Sequence, residues 1–371
     1  MDGSVPGLTL PSREGPAWPG SQPATGTAQR RLAGHGLIQI SEGNLNMTSN
    51  REQQMDAVVI QASGPPAQAL AVRSEPVPVP GLGEVLVEVH AAGVNPFDVV
   101  IAAGKLGSPL PMIPGIDFAG VVVSDGDLSG QEVWGSQAYL SWKRPGTHAQ
   151  FVALPQTWLS RKPERLTMTE AGAVGRPYIA AWQAVINIMD LRPGETILIT
   201  GGAGLVGQAA TAIAHWRGAK PIVADVRKPE GVEDFIDTRS HDLSKAVLEL
   251  TDGRGADMVL DTIGGALFEP AVKSLRFGGR LTGLHSHERV EFDPSEIYDH
   301  DRHVTGLASV FIDGADGAKI FDQLAPLFDR GLLTPPATKT WPLENTVEAY
   351  QTVKDGAAGI KQVLLPIGGG A

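Results

Sequence analysis

Residues 196–225 read TILITGGAGLVGQAATAIAHWRGAKPIVAD, and their glycines stand where a phosphate group could meet the main chain. Gly202, Gly204 and Gly207 fit G-x-G-x-x-G directly behind the apolar, β-branched run TILIT. In that pattern one glycine makes a tight turn, one lets a pyrophosphate approach the backbone, and one lets helix and strand pack closely. A helix opening there aims its first N–H groups and the positive end of its dipole at the anion. Gly201, Gly202, Ala203, Gly204, Leu205, Val206 and Gly207 are therefore the candidate cofactor-binding loop. Asp225 lies 18 residues past Gly207, where an acid hydrogen-bonds a ribose 2′-hydroxyl. That acid repels a 2′-phosphate and favours NADH, but Arg227 and Lys228 follow at once and could hold the phosphate of NADPH. The bland alternative is a glycine-rich turn in an ordinary βαβ unit.

The surrounding pattern supplies the elements such a loop needs. Strands are expected at 196–200, 222–225, 257–261 and 280–284, with helices at 205–217, 242–251 and 265–276 between them. Alternating strands and helices predict a parallel sheet covered on both faces. Thr262 and His285 then fall at the C-terminal edge of that sheet, where ligands bind. Gly218 is a left-handed cap for the 205–217 helix. Residues 167–190 read as a helix capped by Thr169 and broken by Pro177. Upstream, 55–61, 83–94, 115–123 and 147–154 read as strands of an irregular all-β region, with Val85, Val87 and Val89 on one face. A helix from about 318 and a last strand at 361–367 finish the chain.

Bulk properties narrow the classes. The 371 residues suit two domains, and 42% apolar residues suffice for a core. A net charge of −11 argues against a general nucleic-acid binder, and no apolar run is long enough to span a membrane. There is no cysteine, hence no disulfide, no thiolate nucleophile and no Cys-ligated zinc; a cytoplasmic location fits. Residues 1–54 hold 13 glycines and prolines and no persistent periodicity, and are expected to be a disordered extension. Met47 and Met55 are alternative starts.

HAAGVNPFD (90–98), IPGIDFAGVV (113–122), GQEVWG (130–135), GTHAQFV (146–152), AAWQAV (180–185), GGAGLVG (201–207), DTIGG (261–265) and FGGRL (277–281) follow one another along the chain. In these segments the chain resembles the medium-chain dehydrogenase/reductase superfamily, in particular its zinc-free quinone oxidoreductase branch. The resemblance implies an α/β fold: a Rossmann doubly wound parallel sheet at 179–317, and a GroES-like β domain at 55–178 completed by 318–371. It implies NADPH or NADH in the cleft between them, and a homodimer, with 303–311 near the contact. Zinc-dependent relatives bind the metal through positions that correspond here to Asn95, Ile116 with Asp117, and Arg176, so no zinc is expected. Two departures stand out. Only the nine residues Val226–Asp234 separate the second and third Rossmann strands, where relatives place a helix. Ala180 stands where many relatives have a threonine, and Lys105 or Leu106 where they have a tyrosine.

Without a metal, hydride transfer to a carbon made electrophilic by conjugation suits the chain better than alcohol oxidation. The expected activity is zinc-independent reduction of a quinone or other α,β-unsaturated carbonyl by NAD(P)H, with a small-molecule substrate and no nucleic-acid or membrane partner. A zinc-free alcohol or polyol dehydrogenase and a non-catalytic NAD(P)-sensing protein are the alternatives. One positioned donor can stabilise the developing oxyanion; Asn95 is the first candidate and Tyr178 the second. Asp98, Lys105 and Arg176 are candidate substrate-pocket residues, Asp98 as a group that caps or orients its loop. His285 is a pocket-lining candidate with His287 beside it. His148 reads as strand packing and YDHDRH (298–303) as solvated surface. Loops 104–112 and 136–146 are expected to shape the pocket.

Overall fold

The computed structural model describes residues 53–286, 288–357 and 359–367. The expected disordered extension therefore lies outside the described residues except at its last two positions, as do Met47 and His287.

Six parallel strands form one sheet in the order Phe235–Asp237, Lys220–Asp225, Thr196–Thr200, Ala256–Asp261, Leu275–Gly283, His303–Gly306. This is the doubly wound order, with the reversal beside Thr196–Thr200. Every residue of TILIT is buried, as a central strand covered on both faces requires. On one face Ile197 and Ile199 pack with Ile213, Tyr178, Trp182, Phe321 and Leu324. On the other, Leu198 and Ile222 pack with Val247, Val272 and Leu275. Pro221 is accommodated in the Lys220–Asp225 strand ahead of the point where Val223 begins pairing with Phe235. No helix occupies 226–234, and His303–Gly306 is an exposed edge strand.

The second sheet runs Thr338–Pro342, Lys361–Leu365, Glu84–Val94, Asp117–Val122, Glu132–Ser136, Ser160–Arg161, with Phe151–Pro155 also paired to Glu84–Val94. Val85, Val87 and Val89 are all buried while their alternates are half-exposed, so this strand reads as period-2 patterning demands. Antiparallel pairing of Gln362 with Val94, and of Ala119 with Ala91, brings the start of the last strand beside the end of the third. A hairpin of Gln54–Ile60 and Leu70–Pro76 lies alongside.

The helix expected over 167–190 is Met168–Trp182, continued by a wider turn over Gln183–Ile188. Its cap is Thr167, not Thr169: Thr167 Oγ accepts from Glu170 N and Glu170 returns to Thr167 N, a capping box. Its break falls at Gly175, with φ 19° and ψ −130°, and Pro177 follows inside the resumed helix. The helix expected over 265–276 is a short turn followed by Phe268–Lys273. Leu205–Arg217 has the expected bounds, closed by Gly218 at φ 78°. Among the described residues no helix is long and apolar enough to cross a membrane.

Candidate active site

The glycine turn sits at the end of Thr196–Thr200 and opens the 13-residue helix Leu205–Arg217. Gly201 takes φ 65°, and a Cβ there would collide with Thr262 Oγ. A Cβ on Gly207 would lie 2.5 Å from Gly201 O and from Gly202 Cα, so strand end and helix start could not approach as they do. Gly204 is the cap residue and no side chain caps the helix. The amides of Leu205, Val206 and Gly207 therefore have no intrahelical acceptor and stand open to an anion. Asp225 braces the turn: Oδ2 accepts from Ala203 N at 2.9 Å, and Oδ1 accepts from Val226 N at 2.6 Å and Arg227 N at 3.2 Å. Oδ1 has both its lone-pair sites filled, and Oδ2 keeps one for a hydroxyl donor. Thr262 ties the neighbouring strand end to Thr200, donating from Oγ to Thr200 O and from N to Thr200 Oγ.

Two cavities flank these strand ends. One, of about 640 Å³, is lined by Gly202, Ala203, Thr211, His215, Arg227 and Lys228 and lies along the helix beside the short crossover. The other, of about 620 Å³, is lined by Asp261, Gly264, Gly283, His285, Leu307 and Ala308. Arg227 and His285 thus fall in different cavities. A dinucleotide fits this donor set: open amides for the diphosphate, and an acid beside them for a ribose.

The β sheet contributes a buried charged cluster. Asp117, at the head of its strand, and Lys361, at the head of the last strand, are fully buried and 2.8 Å apart. Lys361 also donates to Asn95 Oδ1 at 2.6 Å, and Asn95 Nδ2 donates to Asp117 Oδ2 at 2.8 Å and to Gly93 O at 3.3 Å. Because the helix breaks at Gly175, the main-chain N–H of Arg176 is free to donate to Asp117 Oδ1 at 2.9 Å. Burial pulls the Asp117 pKa up; the Lys361 ammonium and the hydrogen bonds the carboxylate accepts together outweigh it and hold the pKa below its usual range. Asp98 accepts from Asn95 N through Oδ2 at 2.8 Å, while its Oδ1 has no partner among the described residues. Burial pushes its pKa up to about 7, helped by the charge of Asp117. His148 donates from Nε2 to Gly93 O and accepts at Nδ1 from Tyr350 Oη. Burial holds its pKa down to about 4, so the ring is neutral.

The two expected oxyanion donors have other partners. Both hydrogens of the Asn95 amide are engaged inside the cluster, and the residue is 3% exposed. Tyr178 is a core tyrosine: Oη donates to Thr334 O at 2.6 Å, its ring packs edge-on against Phe328, and burial raises its pKa. In both cases a neighbouring acceptor has already taken the proton that a substrate would need. Lys105 is exposed on the turn after the Pro96–Ala102 helix. Asp98 is the third residue of that helix and pins its first turn, as a loop-orienting group should. Arg176 is 7% exposed and donates from Nη1 to Ser309 O at 3.0 Å, linking the β sheet to the turn after the last Rossmann strand.

Several participants carried no readable signal. Lys361 opens the final strand, KQVLL, beside the polar Gln362, and nothing local distinguishes it from a surface lysine. Tyr139 stacks on Trp142 with centroids 6.3 Å apart, and Trp142 meets Phe311 edge-on at 6.1 Å. Trp142 Nε1 donates to Leu106 O, so loops 104–112 and 136–146 meet each other and the Rossmann turn Ser309–Phe311.

The positions matching metal ligands in zinc-dependent relatives do not fit zinc. Asn95 Oδ1 and Asp117 Oδ2 both accept from the fixed Lys361 ammonium, and the Arg176 main-chain N–H is spent on Asp117 Oδ1. One carboxylate and one amide oxygen, both already bonded to that ammonium, are a poor donor set for zinc.

Residues 81–164 match the family model described as alcohol dehydrogenase GroES-like domain, and 206–325 the one described as zinc-binding dehydrogenase. Human quinone oxidoreductase is 26% identical over 329 residues, covering 85% of this chain and 98% of that protein. A zinc-type alcohol dehydrogenase-like protein of Schizosaccharomyces pombe is 30% identical over 291 residues, covering 75% and 86%. Among solved structures, an alcohol dehydrogenase superfamily protein from Novosphingobium aromaticivorans superposes with a TM-score of 0.75 at 27% identity, covering 84% of this chain and 99% of that one.

Proposed function

Since the chain belongs to the medium-chain dehydrogenase/reductase superfamily, in its quinone oxidoreductase branch, we propose that it is a zinc-independent oxidoreductase that uses NADH or NADPH to reduce a quinone or another α,β-unsaturated carbonyl. The observation that carries this reading is the open amide turn at 201–207, braced by Asp225 and uncapped by any side chain. Its amides hold the diphosphate, and Asp225 takes a ribose hydroxyl. The bound nicotinamide supplies the hydride. The chain's own work is to orient the two reactants and exclude water. The loops carrying Tyr139, Trp142 and Phe311 offer flat apolar faces where the two sheets meet, and such faces suit a planar conjugated acceptor.

Titration of the protein with NADH and NADPH, read in the nicotinamide fluorescence band, tests the cradle. Oxidation of the bound nucleotide by 1,4-benzoquinone tests the chemistry. Binding of at least one nucleotide with quinone-dependent turnover is expected. Binding without turnover of any quinone or enone would overturn the enzymatic reading, and no binding of either nucleotide would overturn both.

A further inference from the structure

Arg176 is a buried cation with part of its hydrogen-bonding capacity unused. Nη1 is engaged with Ser309 O, but Nε and Nη2 have no partner among the described residues. Those two nitrogens form one edge of the guanidinium, the edge whose parallel N–H bonds match two oxygens of a planar anion. An arginine keeps its charge at any ordinary pH, so burial cannot be relieved by losing the proton. Leaving such buried donors without a partner is costly, and more so for a charged group than for a neutral one. Asp117 and Asp98 both act on the charge of Arg176, but neither hydrogen-bonds the free nitrogens. Asp117 Oδ2 faces Lys361 and Asn95, and Oδ1 takes the Arg176 main-chain N–H. Gln137 Nε2 is a second buried donor without an acceptor, one residue past Ser136, the strand partner of Asp117. Arg176 and Gln137 thus leave buried donors without an acceptor, the unpartnered Asp98 Oδ1 bonds neither of them, and an anion would satisfy the fork.

The position of this edge narrows the anion further. Arg176 is held by Ser309, and the same three-residue turn ends in Phe311, whose ring meets Trp142. Flat apolar faces and a forked cation thus converge on one turn at the junction of the two sheets. A lone quinone or ketone oxygen would satisfy one N–H of the fork and leave the other. We propose that the free Nε–Nη2 edge of Arg176 is a carboxylate site, so that the acceptor this chain prefers is a conjugated carbonyl compound bearing a carboxylate. This rests on the oxidoreductase reading above. A phosphate oxygen pair of the nucleotide presents similar chemistry, and the test separates the two sources.

The full chain is assayed for NADH and NADPH oxidation with a 2-carboxyalkyl-1,4-benzoquinone and with its methyl ester, which differ only in the charged fork. Wild type is expected to favour the acid at least tenfold in kcat/KM. Arg176→Gln is expected to bring that ratio close to one, and Arg176→Lys to leave an intermediate ratio, because charge survives without the fork. A wild-type ratio of one or below overturns the proposal without needing any variant, as does a ratio that Arg176→Gln leaves in place. Weaker NADH binding in Arg176→Gln, together with a wild-type ratio of one, assigns the edge to the nucleotide phosphate instead. If neither quinone is turned over, calorimetry with 2-naphthoate and methyl 2-naphthoate reads the site alone. Tenfold tighter binding of the acid upholds the carboxylate site although the oxidoreductase reading has failed, and equal binding overturns it.

Discussion

The glycine turn and the charged cluster solve the same problem, holding charge in a protein interior, by opposite routes. The turn offers the main-chain amides of three consecutive residues, Leu205, Val206 and Gly207, and its bracing acid lies on the adjacent strand. The cluster uses side chains from three segments, 95–98, 117 and 361, and the main-chain N–H of Arg176, which only the finished sheet brings together. The turn is left open, ready for a ligand. The cluster is largely closed on itself, with Arg176 as the exception. A local device can be emptied and filled without disturbing the fold, whereas a tertiary one has to remain intact for the fold to exist.

The sharpest way to break this contrast is Lys361→Met. It strands Asp117 without its cation, and removing one partner of a buried pair costs about 3–5 kcal/mol. A large drop in the urea midpoint is expected, and Asp117→Asn in the same chain should restore much of it. If the single variant loses under 1 kcal/mol, the cluster does not hold the fold together. Next comes Gly207→Ala, whose new methyl group meets Gly201 O and Gly202 Cα. Overpacking of this kind costs about 1–3 kcal/mol. Nucleotide affinity should fall more than tenfold with the near-UV circular dichroism retained. Unchanged affinity would mean that the turn is not the phosphate cradle.

The pH dependence of stability probes the cluster from inside. With its pKa raised from 3.8 to about 7, Asp98 keeps a proton in the folded chain that the unfolded chain has released, so its contribution falls as pH rises between about 4 and 7. His148, lowered from 6.5 to about 4, refuses a proton that the unfolded chain accepts, so its contribution falls as pH drops from about 6.5 to 4. The two slopes oppose each other in the shared window. Asp98→Asn should expose the His148 slope, and stability should then fall from pH 7 to 5. His148→Gln should expose the reverse. Each amounts to at most about tenfold in the unfolding constant per pH unit. Parallel pH profiles for the two variants would contradict this assignment. The smallest effect is expected of Tyr178→Phe: about 1 kcal/mol of stability for the hydrogen bond to Thr334, with turnover within twofold. A hundredfold loss of turnover would return Tyr178 to the reaction.

The same contrast explains what could be read from the chain alone. TILIT, the glycines, Gly218 and Asp225 form a contiguous pattern, and strand and helix bounds at 196–217 follow directly from it. The helix cap slipped by two residues because Thr167 and Thr169 both precede good helix formers, and only the Thr167–Glu170 spacing closes a capping box. Pro177 is the expected break, yet the backbone departs from helical geometry at Gly175, where the Arg176 N–H reaches Asp117. Asn95 and Tyr178 were sound donor chemistry in the right neighbourhood. What consumed their protons, Asp117 with Gly93 in one case and Thr334 in the other, lies 22 and 156 residues away for the two principal acceptors.

Lys361 and Asp117 are 244 residues apart. During synthesis at about 5–20 residues per second, the acid emerges tens of seconds before its counter-ion. Every residue of the parallel sheet is made in that interval, so the nucleotide-binding half can be complete while the half begun earlier still carries an unmatched charge. Such an intermediate offers proteases and chaperones a long window. A chain interrupted anywhere before the final strand would remain in that state, with one finished half attached to one that cannot close.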